Sequence, residues 1–304
     1  MMKATLIISA LLMTFSASAQ TYSEDFEMAL DTLCMSKFTA VYDYTIRTAD
    51  HTGKEVTDSI LLALQVGDGY WKCTPYMRVL HLRDHNREHI VDVLNQEALM
   101  HVETIVSGHP EGKRTIHEAI APYCYETVED MGTIEWTLDE DNKDFDHNWK
   151  SATGEYRGKK WNVLYDENIP TTAGPWKLHG LPGLIMSASD NDSIHTFKFV
   201  ALYNDSLPVI HEKYFVLSVP TSGGGNRLVT KQYQKRTHEQ MMNLRKKTIG
   251  SKIYASNPKF SFPTLGPNDV DCTILNDDFE SRANVISGVA VLDKAHKYQP
   301  LELE

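Results

Sequence analysis

From Phe38 to Ile46 apolar side chains fall on every second residue: Phe38, Ala40, Tyr42, Tyr44 and Ile46. A period of two is the pattern of a strand with one face buried. His51-Thr52-Gly53-Lys54 supplies a turn, Ser59–Val66 a returning strand and Tyr70–His81 a third. The alternation resumes at Tyr123 and predicts strands over Tyr123–Val128, Ile134–Leu138, Lys160–Tyr165, Leu184–Ala188, His195–Tyr203 and Tyr214–Val219. Asp190-Asn191-Asp192 and Thr221–Asn226 carry turn chemistry between the later ones.

Two stretches follow a helical period instead. In Ser23–Leu33, Ser23 can cap, Glu24 and Asp25 crowd the first turn, and Phe26, Leu30 and Leu33 share a face. Thr237-His238-Glu239-Gln240 reads as a capping box opening a second helix. Met241, Met242, Leu244 and Ile249 form its apolar stripe, Lys246 and Lys247 suit its C-terminal end, and Gly250 stops it. His89–Met100 is a weaker helical segment.

These elements predict an α+β domain. Its centre is a curved, mostly antiparallel β-sheet or open half-barrel, with an N-terminal helix and a late basic helix packed on it. Residues 1–19 read as an export signal: Lys3 gives the positive start, Ala4–Phe15 the apolar run and Ala17-Ser18-Ala19 the small-residue cleavage site. The run is too short for a membrane span, which needs ~20 residues. No cysteine stands at Gln20 for lipid attachment. Residues 20–304 are thus expected to form a single β-rich domain in the periplasm or outside the cell, with 251–290 winding irregularly over its surface.

The densest local signal lies between Ile169 and Ile185. Gly174-Pro175 and the hexapeptide Gly180-Leu181-Pro182-Gly183-Leu184-Ile185 place two Pro/Gly turns close together. Pro182-Gly183 suits the centre of a type II turn, whose second residue needs φ > 0. The chain resembles the GLPGLI family of exported bacterial proteins. The likeness extends to Trp136-Thr137-Leu138, Lys150-Ser151-Ala152, Tyr156-Arg157-Gly158-Lys159, Trp161 and the closing Pro300-Leu301-Glu302-Leu303. It covers residues 22–304 and is most specific over 150–186. Three positions depart from the family pattern: Trp149 stands where a cysteine is frequent, Lys159 replaces a second Arg, and Val163-Leu164 replaces an Ala-Trp pair. A role resting on that cysteine does not transfer. The family has no established activity, so the resemblance implies fold and export but no reaction.

A net charge of −11 disfavours nucleic acid and anionic membranes as partners. Aromatic residues, at 10%, are numerous enough to build a core. Cys34, Cys73, Cys124 and Cys272 permit three disulfide pairings in an exported chain, and no C-x-x-C exists.

Histidines His81, His85 and His89 recur at every fourth residue, which on one helix would build a metal site. They fall across a strand-to-turn pattern, so three solvated histidines are the plainer reading. His117-Glu118, His211-Glu212 and His238-Glu239 lack the second histidine four residues on that a zinc helix requires. Asp139–Asp144 lacks the glycine and the terminal glutamate of a calcium loop, and Ser222–Gly225 lacks the lysine of a phosphate loop.

The binding candidates are therefore Trp176, Lys177, His179, Gly180, Leu181, Pro182 and Gly183, on a rigid double turn that either fills a core or meets a ligand. Nothing among them forms a nucleophile–base pair. The leading expectation is a non-enzymatic envelope protein that binds a small or lipophilic ligand or a partner protein, of unspecified cofactor. The alternatives are a periplasmic hydrolase or metal-binding protein, and an accessory subunit of an outer-membrane transport system.

Overall fold

A computed structural model describes residues 30–49, 53–76, 78–79, 103–120, 123–144, 148–220, 226–248 and 299–303. Its strands are β1 (Leu30–Ala49), β2 (Glu55–Gly67), β3 (Trp71–Pro75), β4 (Thr104–Ser107), β5 (Lys113–Ile120), β6 (Tyr123–Asp130), β7 (Trp136–Asp144), β8 (Trp149–Tyr156), β9 (Lys159–Asp166), β10 (Leu184–Asp190), β11 (His195–Tyr203), β12 (Pro208–Glu212), β13 (Phe215–Pro220), β14 (Asn226–Lys231) and β15 (Gln234–Lys235). One helix, α1 (His238–Thr248), follows them.

Thirteen of the strands form one sheet in the order β15-β6-β5-β4-β3-β2-β1-β11-β10-β9-β8-β7, with β12 paired to β1 off that path. β13 and β14 make a separate hairpin. The pairing is antiparallel throughout the large sheet except where β15 runs parallel to β6. β1 is its axis. One flank pairs with β2 along most of its length; the other pairs first with β12, over Leu30–Met35, then with β11, over Thr39–Ile46.

The fold is nearly all-β among the described residues, so the α+β expectation is corrected. The predicted N-terminal helix over Ser23–Leu33 does not hold for its described part: Leu30–Leu33 belong to β1, paired with residues 210–212, while Ser23–Ala29 lie outside the described residues. Pairing with a strand about 180 positions away overrides a local three-four spacing that was weak to begin with. The late helix does form. Thr237 Oγ1 accepts the Gln240 N–H at 3.2 Å and Gln240 Oε1 accepts the Thr237 N–H at 3.0 Å, the reciprocal bonds of a capping box. Met241 is buried against the sheet. β4, β5 and β8 were not anticipated. Asp139–Asp144, the stretch that superficially resembles a calcium loop, belongs to β7, its register against β8 shifted between Asp139 and Lys143.

One face of the sheet carries the core. Ala40, Tyr42 and Tyr44 on β1 join Leu62 and Leu64 on β2, Cys73 on β3, Ile105 on β4, Ile116 on β5, Trp161, Val163 and Tyr165 on β9, and Phe197 on β11. Antiparallel register explains this, because side chains opposite one another across a ladder point the same way. Among the described residues no helix is long and apolar enough to cross a membrane. The expected export signal over 1–19, the expected surface excursion over 251–290 and the expected helix over His89–Met100 lie outside the described residues.

Candidate functional site

The connection from β9 to β10 folds back over the core face as a closed loop. At its base Leu184 N–H donates to Ile169 O at 3.0 Å; further in, Gly180 N–H donates to Thr172 O at 2.8 Å and Ala173 bridges His179. Leu178 N–H donates to Pro175 O at 3.1 Å across the tip. The left-handed residues are Trp176 (φ 54) and Gly180 (φ 95), not Gly183. The type II turn expected at Pro182-Gly183 is therefore corrected. Glycine is needed at 183 for a different reason: a Cβ there would sit 2.3 Å from Asp166 O. Trp176, a bulky residue, adopts a conformation that costs about 1 kcal/mol relative to ordinary backbone.

What holds Trp176 in place is its surroundings. Its backbone N–H donates to Cys73 Sγ at 3.2 Å and its indole N–H to Glu103 at 3.1 Å. Its ring lies 5.6 Å from Trp161 and 6.0 Å from Tyr156. Leu178 and Leu181 are fully buried beside it, and Trp136 donates its indole N–H to His179 O at 2.8 Å. Of the seven binding candidates, Trp176, Lys177, His179, Leu181 and Gly183 are buried; only Gly180 and Pro182 are exposed. The loop is a plug whose side chains face the sheet.

Lys177 enters a buried network of charges. Its Nζ lies 2.7 Å from Glu302 Oε1 and 3.3 Å from Glu129 Oε1. Arg245, from α1, donates through Nε and Nη2 to Glu118 at 2.7–3.0 Å, through Nη2 to Glu103 and through Nη1 to Glu302 at 3.3 Å. Arg157 Nη2 meets Glu129 at 2.9 Å. Arg114, fully buried, donates to Lys177 O at 3.2 Å and Met131 O at 3.0 Å. Four carboxylates thus face four cations from seven separate stretches of chain.

Electrostatics inside the network follow from that balance. Burial pushes the Lys177 ammonium down, but Glu103, Glu302 and Glu129 outweigh it and hold its pKa above the ordinary value. Burial likewise raises Glu129, yet the His238 hydrogen bond, Lys177, Arg157 and Arg114 bring it well below. Glu118 goes the other way: burial prevails over Arg245 and raises it. Burial lowers His179, whose Nδ1 lies 2.9 Å from Lys177 O and whose Nε2 lies 3.2 Å from Gly132 O. Burial also pushes the Cys73 thiol up to about 12, which keeps it protonated and poorly nucleophilic at neutral pH.

Glu129, His238 and Glu302 bring one ligand atom each within 4.8 Å of one another, the spacing of a cation site. Lys177 and Arg157 already sit on the same carboxylates, so a divalent ion would meet two positive side chains. The arrangement is that of an ion-pair network rather than a metal centre. Beside it an open cleft of about 480 Å³ is lined by Glu129, Asp130, Met131, Gly132, Tyr156 and Arg157.

The opposite face of the sheet holds a second polar cluster under β12. Lys72 Nζ donates to Ile210 O at 2.8 Å and pairs with Glu212 at 2.6 Å. The His117 ring stacks on Tyr233 with centroids 4.0 Å apart, and His211 lies 5.5 Å from it and 4.8 Å from His109. Burial, then His117 and His109, lower His211 to about 4.

Sequence reasoning reached Trp176, Lys177 and His179 but missed Glu103, Glu118, Glu129, Arg114, Arg157, Arg245 and Glu302. One signal was available. Arg114 and Glu118 share a face of β5 with Ile116 and Ile120, where a core-facing strand should carry no charge. His81, His85 and His89 lie outside the described residues, as does Cys272. No disulfide joins Cys34, Cys73 and Cys124.

No protein-family profile matches the chain, and no curated protein matches it. Among solved structures the chain is similar to PNGF-II, at 10% identity and a TM-score of 0.42, over 69% of this chain and 33% of that one. The chain therefore spans about a third of the length of PNGF-II, and a likeness this distant assigns neither fold family nor activity.

Proposed function

We propose that this chain is an exported envelope protein of the GLPGLI type that acts by binding a partner protein, without turnover. The observation that carries this reading is the plug. Trp176, Leu178 and Leu181 occupy the apolar face that a half-barrel would use for a lipophilic ligand, and Lys177 spends its charge on Glu302 and Glu129. The small-ligand alternative loses its natural site, and the buried thiol of Cys73 gives a hydrolase no activated nucleophile there. Apolar side chains do reach solvent elsewhere on β11: Val200 at 55% exposure, Leu202 at 37% and Tyr203 at 40%. Large apolar side chains left in water along one strand give a partner protein surface to cover.

In-cell cross-linking followed by co-purification tests this. A discrete partner retained by the wild-type chain and lost from a Val200→Asp/Leu202→Asp variant of unchanged circular dichroism supports the reading. Equal recovery with both, or no partner at all, counts against it.

A further inference from the structure

The segment 299–303 touches the rest of the protein in an uneven way. Leu303 is 60% exposed and Leu301 only partly buried, whereas the Glu302 side chain is 1% exposed. Four basic side chains from three different stretches converge on that one carboxylate. Lys177 of the plug and Arg245 of α1 reach Oε1, at 2.7 and 3.3 Å. Arg157, from the turn after β8, and His238, at the start of α1, approach Oε2 at 3.6 and 3.7 Å. Two main-chain contacts complete the attachment: Leu303 N–H donates to Arg157 O at 3.0 Å, and His195 Nε2 lies 3.1 Å from Pro300 O.

One ionic pocket plus main-chain hydrogen bonds is how an extended peptide is recognised, not how a core is built. The pocket is also imperfectly filled. Glu302 Oε2 and Arg157 Nε are both buried without a hydrogen-bond partner, because their separation exceeds bonding distance. Without Glu302, Lys177, Arg245, Arg157 and Arg114 would face Glu103, Glu118 and Glu129 alone, four cations against three carboxylates. The open cleft lined by Met131, Gly132, Tyr156 and Arg157 adjoins the same arginine, leaving room for an incoming chain.

The geometry points to a carboxylate receptor, filled here by Glu302, that accepts the glutamate side chain of an extended acidic peptide presented by a partner protein. This rests on the partner-binding reading and names the chemistry of the partner's contact. Charge-assisted hydrogen bonds from an arginine and a lysine supply affinity, and burial of the carboxylate makes the site selective for it.

The test uses the full chain with Glu302→Ala and two fluorescein-labelled probes, Gln-Pro-Leu-Glu-Leu and Gln-Pro-Leu-Gln-Leu, read by fluorescence anisotropy. Glu302→Ala should bind the glutamate probe at least ~10-fold more tightly than the glutamine probe, and more tightly than the wild type does. Equal affinity for the two probes, or no binding, overturns the proposal. Should Glu302→Ala lose its near-ultraviolet circular dichroism, the same comparison is made on the wild-type chain at high probe concentration, where the glutamate probe must compete with Glu302 and still bind more tightly than the glutamine probe. A cross-linked partner whose recovery is undiminished by excess glutamate peptide would leave partner binding standing and overturn the carboxylate receptor.

Discussion

Lys177 and Glu302 meet at 2.7 Å with both side chains almost wholly out of water, although 125 positions separate them in the chain. The contact ties the plug between β9 and β10 to a segment far beyond α1. Its energetics are those of a buried ion pair, in which the desolvation of each charge is offset only while the other is present.

Removing one partner should therefore cost more than removing both. Lys177→Met or Glu302→Gln alone is expected to lower stability by about 3–5 kcal/mol, and Lys177→Met with Glu302→Leu by less than the sum of the two. Urea unfolding of the single and double variants measures this. Additive losses would mean that the pair is not coupled.

Within the hexapeptide, the two turn residues should behave differently. Gly183→Ala drives a Cβ to 2.3 Å from a backbone oxygen and should destabilise by several kcal/mol, because backbone cannot step aside cheaply. Pro182 is exposed, and Pro182→Ala should change stability by no more than about 1 kcal/mol. Thermal melts of both variants decide it; a harmless Gly183→Ala would refute the close-approach explanation.

That contrast marks how far the sequence could be read. The alternation Phe38–Ile46 located β1 because each residue's environment repeats locally, and Thr237-Gln240 located α1 because a capping box closes within one turn. The glycine at 183 was legible as a constraint but not as which constraint, since Asp166 O reaches it only after β9 and β10 pair. β5 was missed because Arg114 and Glu118 make it look polar, and their partners Lys177, Arg245 and Glu129 come from elsewhere in the sheet and from α1. A network assembled from residues 103 to 302 has no local spacing to betray it.

Acid should weaken the fold through its buried imidazoles. Burial, then Lys159, lower His195 to about 4, and burial, then His117 and His109, lower His211 to about 4. Unfolded, both titrate near 6.5. Between those values the unfolded chain holds protons that the folded chain does not, so stability falls as pH drops from about 6.5 to about 4. Glu212, depressed to about 2 by Lys72 and Arg78 despite its burial, extends the loss below 4.5, while the raised Glu118 opposes it in part. The urea midpoint is expected to be lower at pH 5 than at pH 7, with a shallower slope in His195→Gln. A midpoint unchanged between the two would contradict this assignment.

Cys73 should be the last of the described thiols to react. It is buried beneath Trp176 with its thiol held near 12, whereas Cys34 and Cys124 are partly accessible. Iodoacetamide labelling in native buffer, followed by peptide mass spectrometry, should modify Cys73 only once urea opens the fold. Rapid native labelling at Cys73 would show that the plug opens readily.

The most direct measurement is native mass spectrometry of the full chain purified from the periplasm after expression with its N-terminal segment. The plug account expects the mass of the chain, less residues 1–19, with no small molecule attached, and a discrete protein adduct after cross-linking. A lipophilic adduct that leaves on denaturation would contradict it, because such a molecule would need the face that Trp176, Leu178 and Leu181 occupy.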